Sequence, residues 1–342
     1  MGENQDLYDL TNEMIGELNA SHTGVRGPSG IEVPATYSTR YLGFELMPDR
    51  GSYKVSHIYR DGPADKEWVE LKVGDYVHAI CGQDIKAGDN YWKILNNLLN
   101  PFVAVKVSSS PSQRSSMREV RIETVTSLRN IKYEEWVAQR RDIVENESSG
   151  KIAYVHIRSM NQASLTRFKN EIDHYWNKDG IVIDIRYNGG GNIDEPLLDI
   201  IERVPYAFVN RRTGARTWGR RHRQAIAGPK VMLTNHRSFS DAEMTPAGFR
   251  KLELGHLVGT PTGGGVIWTG SASLLNGGSI RTPFSLATIY DPTKPNNYGT
   301  NLENFGVPPD VFVENTPDDE LKGYDRELLE AVEEVKRMLK DN

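Results

Sequence analysis

The sequence predicts an α/β fold built on a mainly parallel sheet, with a separate strand-rich unit ahead of it. From Ile152 onward, continuous apolar strands alternate with helical stretches, the pattern of a sheet buried on both faces. Between Tyr41 and Val125, short strands follow one another between turn residues. At 342 residues the chain is about twice the usual domain size, so two or three domains are expected.

The first element is a helix from Asp6 to Leu18 carrying Leu7, Leu10, Met14, Ile15 and Leu18, stopped by the polar turn residues Asn19 to Gly24. Gly27 to Thr39, rich in Pro, Gly and Ser, reads as a linker. Strands follow at Tyr41–Leu46, Tyr53–Ile58, Tyr76–Ile80, Phe102–Val107 and Glu119–Val125, with a helix from Asn90 to Leu99. After the polar tract Ser108 to Ser116 come a helix over Tyr133–Glu145, a strand over Ile152–Ile157, a helix over Ser164–Trp176 and a strand over Ile181–Arg186. A helix from Leu197 to Val204, a basic loop, the strand Lys230–Thr234 and a closing amphipathic helix over Leu328–Leu339 complete the pattern. The expected domains are 1–37 (a helical piece with linker), 38–128 (the strand-rich unit) and 129–342 (the α/β region).

Lys and Arg number 41 against 46 Asp and Glu, and the net charge of -5 supplies no global field for nucleic acid or an anionic membrane. The single cysteine, Cys81, excludes an intramolecular disulfide and any Cys-cluster metal site, and reads as a small core residue. Mean hydropathy is -0.54, and no apolar run approaches the length of a membrane span. The first residues lack the basic and apolar regions of a secretory signal, which points to a cytoplasmic protein; a helical pattern that begins almost at once points to a fragment.

Two loops at the carboxyl ends of strands carry unusual chemistry. Asp184 to Asn192 includes Gly189, Gly190 and Gly191, which either make a tight turn or bring backbone N–H groups close to a ligand before a helix N-terminus. The loop matches neither a P-loop nor a dinucleotide fingerprint. Thr234 to Met244 places Ser240 at a strand-to-helix junction, where it is either a helix cap or a nucleophile whose following N–H points into an oxyanion site. The surrounding residues are not a Gly-x-Ser-x-Gly elbow, and Pro246 in the second turn is expected to bend the helix. Of the eight histidines no pair has the spacing of a helical zinc site. His236 is too close in sequence to face Ser240 well. His22 has suitable chemistry beside Ser21, although a histidine in such a turn, taken alone, is more often an exposed loop residue.

Taken together, five segments resemble the carboxyl-terminal half of the tricorn proteases, relatives of the C-terminal processing peptidases. They are Glu17 to His22, Asp184 to Gly191, Ser238 to Asp241, Gly259 to Gly264 and Leu302 to Asp310, in this order. The resemblance implies a ClpP/crotonase-like serine peptidase core with an inserted PDZ domain, no cofactor and no metal, a peptide or unfolded protein substrate, and a homo-oligomer. It makes Ser240 the nucleophile, His22 the general base, Ser21 the bridge from His22 to Glu303, and the N–H groups of Gly190 and Asp241 the oxyanion donors, with Gly189 or Gly191 as neighbours in register. The lysine base of the C-terminal processing peptidases would fall at Gly265, which has no side chain to accept a proton.

In the strand-rich unit the resemblance puts Leu42, Gly43 and Phe44 at a carboxylate-binding loop, where backbone N–H groups receive a peptide terminus; a spacer that binds nothing is the alternative. Arg211, Arg212, Arg216, Arg220, Arg221 and Arg223 form either a solvated loop or a site for acidic groups. Val209 falls near the position where the archaeal tricorn enzymes select a basic P1 side chain through an acidic residue, so that preference is not carried over. A protease-like fold that binds peptides without turnover, or a latent fragment of a larger protease, are the competing functional readings.

Overall fold

The computed structural model describes residues 4–28, 37–112, 116–209, 212 and 219–341. It divides into two compact units, residues 1–31 with 140–342, and residues 32–139. In chain order the first unit opens with α1 (Asn4–Gly16) and β1 (Gly24–Arg26). The second contains β2 (Phe44–Asp49), β3 (Ser52–Ile58), β4 (Tyr76–Ile80), β5 (Gln83–Asp84), α2 (Trp92–Leu95), β6 (Phe102–Ser108) and β7 (Arg118–Glu123). The helix α3 (Arg129–Glu147) contains the boundary. There follow β8 (Ile152–His156), α4 (Gln162–His174), β9 (Gly180–Asp184), α5 (Asp194–Ile201), β10 (Ala207–Val209), β11 (Gly219–Arg221), β12 (Lys230–Thr234), α6 (Asp241–Lys251) and β13 (His256–Gly259). The last elements are β14 (Trp268–Ser273), β15 (Ser279–Ser285), β16 (Thr288–Tyr290), β17 (Tyr298–Asn301), β18 (Val311–Phe312), α7 (Pro317–Lys322) and α8 (Arg326–Asp341).

The first unit is organised by a five-stranded sheet in the order β18-β13-β12-β9-β8, parallel at every pairing. Every residue of β8 and β9 is buried, which explains their unbroken apolar character: both sheet faces are covered. Phe168, Leu197, Phe249 and Leu257 are among the residues that join the strands in one core. In the second unit an antiparallel sheet runs β2-β3-β4-β6-β7, with β5 pairing β4. Its core gathers Leu42, Phe44, Val55, Val77, Val105 and Ile122. The molecule is thus mixed α/β with a parallel core sheet and a β-rich unit inserted in the chain.

Several elements differ from expectation. The helix expected over Asn90–Leu99 is a single turn, because Asn97 adopts φ +58 and the Asn97 N–H and the Leu95 carbonyl bond to the 38–40 backbone instead. Cys81 is exposed in the turn after β4 at φ +50, not packed in the core. Leu7, Leu10, Met14 and Leu18 of the first helical pattern are exposed; Tyr8 is the buried residue, its hydroxyl accepting from Asn276 Nδ2 at 2.7 Å. α6 runs through Pro246 as one helix. The antiparallel pair β14–β15, to which β1 adds, was not read from sequence. The 27–39 linker and the basic loop fall largely outside the described residues.

Beneath the carboxyl edge of the parallel sheet lies a buried charge cluster. The Arg186 guanidinium, 1% exposed, bonds both oxygens of Asp184 (2.7–3.1 Å), both oxygens of Asp325 (2.8 and 3.0 Å) and Glu327 (2.7 Å). Arg140 Nε lies 3.1 Å from Asp325, and the Tyr154 hydroxyl donates to Asp184 at 2.9 Å. Burial opposes the Asp184 charge, but Arg186 outweighs it and holds the carboxyl below the usual range. Replacing Arg186 with methionine would leave the buried Asp184 and Glu327 without their cation, so a loss of about 3–5 kcal/mol is expected. Urea denaturation checks it: an unchanged midpoint would rule out this role for the cluster.

Candidate active site

The strands β9, β12 and β13 are adjacent and parallel, so the loops that follow them emerge on one edge of the sheet, where open α/β sheets bind ligands. After β9, Tyr187 has φ +62 and Gly190 φ +96. A Cβ at Gly191 would stand 1.8 Å from the Met160 carbonyl oxygen, so only glycine fits. The buried Asn188 ties this loop down: its Nδ2 donates to the Ile157 carbonyl at 2.8 Å, and its own carbonyl accepts from Phe239 N–H at 3.0 Å.

Ser240 occupies the turn between β12 and α6 with φ +58 and ψ -124, a conformation that costs a non-glycine residue roughly 1–3 kcal/mol. This is a strained strand-to-helix elbow of the kind that presents a nucleophile, formed without the glycines of the Gly-x-Ser-x-Gly sequence. Its N–H donates to the Gly265 carbonyl at 3.0 Å and to Glu243 Oε1 at 3.2 Å. Asp241 is the first residue of α6, so its N–H has no intrahelical acceptor. The two loops touch here: a Cβ at Gly190 would fall 2.6 Å from Ser240 Cβ and 3.1 Å from the Asp241 nitrogen. The Gly190 N–H donates to Asn188 Oδ1 at 2.9 Å in a local turn.

Ser21 and His22 arrive from a polar turn that unit 1 fixes at both ends. Asn12 in α1 clamps Val25 in β1, accepting from its N–H at 2.7 Å and donating to its carbonyl at 3.0 Å. Asn304 Nδ2 donates to the Asn19 carbonyl at 2.9 Å. Glu303 Oε1 accepts from Ser21 N–H at 2.6 Å, and Oε2 accepts from the Ser21 hydroxyl at 3.0 Å and from Val266 and Ile267 N–H at 2.8 Å each. Burial opposes ionisation of Glu303, but these donors outweigh it and hold the carboxyl below its usual range. A carboxylate only accepts, so the Ser21 hydroxyl proton points at Glu303. The 2.9 Å contact between Ser21 Oγ and His22 Nδ1 then runs from Nδ1–H, which leaves Nε2 as the acceptor nitrogen.

Sequence reading missed two residues that build the site. Asn12 gave no local signal. Glu243 stood three residues after Ser240, the spacing of a capping box, but its carboxylate also receives Thr262 Oγ1, Gly264 N–H and Gly265 N–H, each at 2.6 Å. A cavity of about 460 Å³ opens between Ser21, His22, Phe239, Gly263–Gly265 and Asn304. His22 and Ser240 do not hydrogen-bond to each other. His78 and His256 pair elsewhere, with Ser108 and Glu334, and among the described residues no His, Cys, Asp and Glu cluster suits a metal ion. Nor is any described helix long and apolar enough to cross a membrane.

Residues 151–313, which hold the sheet, both loops and Glu303, match the sequence profile of Peptidase family S41. This stretch is similar to the S41 peptidases. The chain is 27% identical over 337 residues to the tricorn protease of Thermoplasma acidophilum, covering 95% of this chain and 30% of that protein. It is 29% identical to a tricorn protease homolog of Saccharolobus solfataricus, covering 96% and 30% respectively. A carboxy-terminal-processing protease of Bartonella bacilliformis is 23% identical over 85% of the chain and 65% of its own length. The crystal structure of the tricorn protease superposes with a TM-score of 0.83 at 26% identity, over 96% of this chain and 32% of that one. The chain therefore spans about a third of the length of the tricorn relatives it matches.

The Asp241 carboxyl, buried, accepts from Ile193 N–H at 2.6 Å and Asp194 N–H at 3.2 Å and so fastens the start of α5 to the start of α6. Burial pushes it up to about 7; the Ile193 N–H works against that rise and the Asp194 carboxyl adds to it. An unfolded aspartate releases its proton near pH 4, so the folded state alone holds the proton between there and about pH 7. Stability from this group is full below that window and lost as pH rises through it. Asp241→Asn keeps an acceptor for both N–H groups, and its denaturation midpoint should lack the decline; an identical decline in the variant would assign it to other groups.

Proposed function

We propose that this chain is a serine endopeptidase of the S41 type acting on peptides or unfolded protein segments. In this reading Ser240 attacks the scissile carbonyl, His22 Nε2 takes its proton and returns it to the leaving amine, and water resolves the acyl-enzyme through the same base. Ser21 and Glu303 fix the imidazole and stabilise its charged form. The observation that carries the reading is the Glu303–Ser21–His22 chain of hydrogen bonds on the same sheet edge as a serine in an elbow conformation. The developing oxyanion would be held by the N–H groups of Asp241 and Gly190, with Gly189 or Gly191 as neighbours in register. The all-parallel sheet supports a ClpP/crotonase-like assignment of the core.

Leu42 and Phe44 pack into the core of the β-rich unit, so a PDZ-type role rests on backbone groups around Gly43, which has φ +81. β2 ends the order of that sheet, an edge to which a peptide strand adds. Binding without turnover is the second reading, favoured by the missing His22–Ser240 hydrogen bond. Unliganded catalytic contacts are commonly long and tighten with substrate, which is why turnover is preferred. Mass spectrometry of a mixed peptide library separates the two: wild type is expected to cleave, and Ser240→Ala and His22→Ala to leave the library intact. Cleavage surviving Ser240→Ala would mean another nucleophile, and an untouched library with folded wild type would favour binding.

A further inference from the structure

Glu243 is fully buried, and among the described residues no cation pairs with it; its four donors are Ser240 N–H, Gly265 N–H, Gly264 N–H and the Thr262 hydroxyl. Two of these belong to the segment 264–267, whose other two N–H groups, on Val266 and Ile267, go to Glu303. This short strap is therefore held at one end by the carboxylate that grips the nucleophile's backbone and at the other by the carboxylate that grips Ser21. The strap also touches both partners directly. The Gly265 carbonyl accepts from Ser240 N–H at 3.0 Å, and a Cβ at Gly265 would lie 3.4 Å from Ser21 Cβ.

From this geometry we infer that Glu243 is a positioning residue that sets the distance between Ser240 and His22, acting through Ser240 N–H and the Gly264–Gly265 backbone. The inference rests on Ser240 being the nucleophile. A carboxylate is required because all four partners donate and only an ionised group offers acceptors alone. In Glu243→Gln the amide nitrogen must face N–H or O–H donors on one side, so the strap has to move. A shift of about 1 Å between reacting groups costs on the order of 100-fold in rate.

The test is labelling of Ser240 with a fluorophosphonate, the site mapped by peptide mass spectrometry, in wild type, Glu243→Gln and Glu243→Asp, alongside peptide turnover. The expected result is labelling to the full extent in each folded variant at a rate lower by about 100-fold for Glu243→Gln, with the loss in kcat and KM unchanged. Glu243→Asp, which keeps the charge and loses reach, should fall between the two and serves if Glu243→Gln does not fold. A merely structural Glu243 would lower the labelled fraction and the melting temperature while each labelled site kept the wild-type rate, and that outcome overturns the inference. If folded wild type is not labelled at Ser240, the nucleophile assignment fails and this inference with it; wild-type labelling with an unaltered variant rate overturns this inference alone.

Discussion

The guanidinium of Arg186 meets three carboxylates in the interior, and the order of the sheet edge follows from that meeting. Two of its partners lie outside β9, in Asp325 and Glu327 at the start of α8, so the charge cluster locks the carboxyl end of a central strand to the last helix. Tyr187 to Gly191 leaves from this fixed point, with the buried Asn188 holding it next to the Ser240 turn. The position of the glycine loop is therefore set from below by ion pairs and from the side by backbone hydrogen bonds. Strain at Ser240 persists because its surroundings are determined this heavily.

Buried carboxylates are stabilised here in two different ways. Around Arg186 they meet opposite charge, which suits a scaffold because the pairing is directional and leaves nothing free to react. At Glu243 and Glu303 they meet neutral N–H and O–H donors. A carboxylate solvated in this manner remains available to stabilise a cation that forms nearby, as an imidazolium does when a histidine accepts a proton. A guanidinium at Glu303 would have cancelled that field.

Much of the α/β region was legible because its signals are local. The apolar runs of β8, β9 and β12 stand where a two-sided buried sheet requires them, and the glycines before α5 mark a close approach. The relay was legible only through the resemblance, since nothing local connects His22 with Glu303. What sequence did not reveal depends on partners distant in the chain. Glu243 looks like an ordinary capping residue until Thr262, Gly264 and Gly265 fold against it. The turn that Asn188 makes with the Gly190 N–H is likewise a side-chain choice that composition does not announce. The stripe of α1 misled for a related reason: its periodicity is real, but the side chain that packs is Tyr8.

Ser21 and Glu303 are separated by 282 positions, with Ser240 between them. A polypeptide made from its amino end thus exposes the serine and histidine of the relay long before their carboxylate exists. Until Glu303 is in place, Ser21 has no acceptor for its proton, and the imidazole has nothing to fix its tautomer. Under the proposed chemistry the relay stays incomplete until Glu303 has been made and has folded against Ser21.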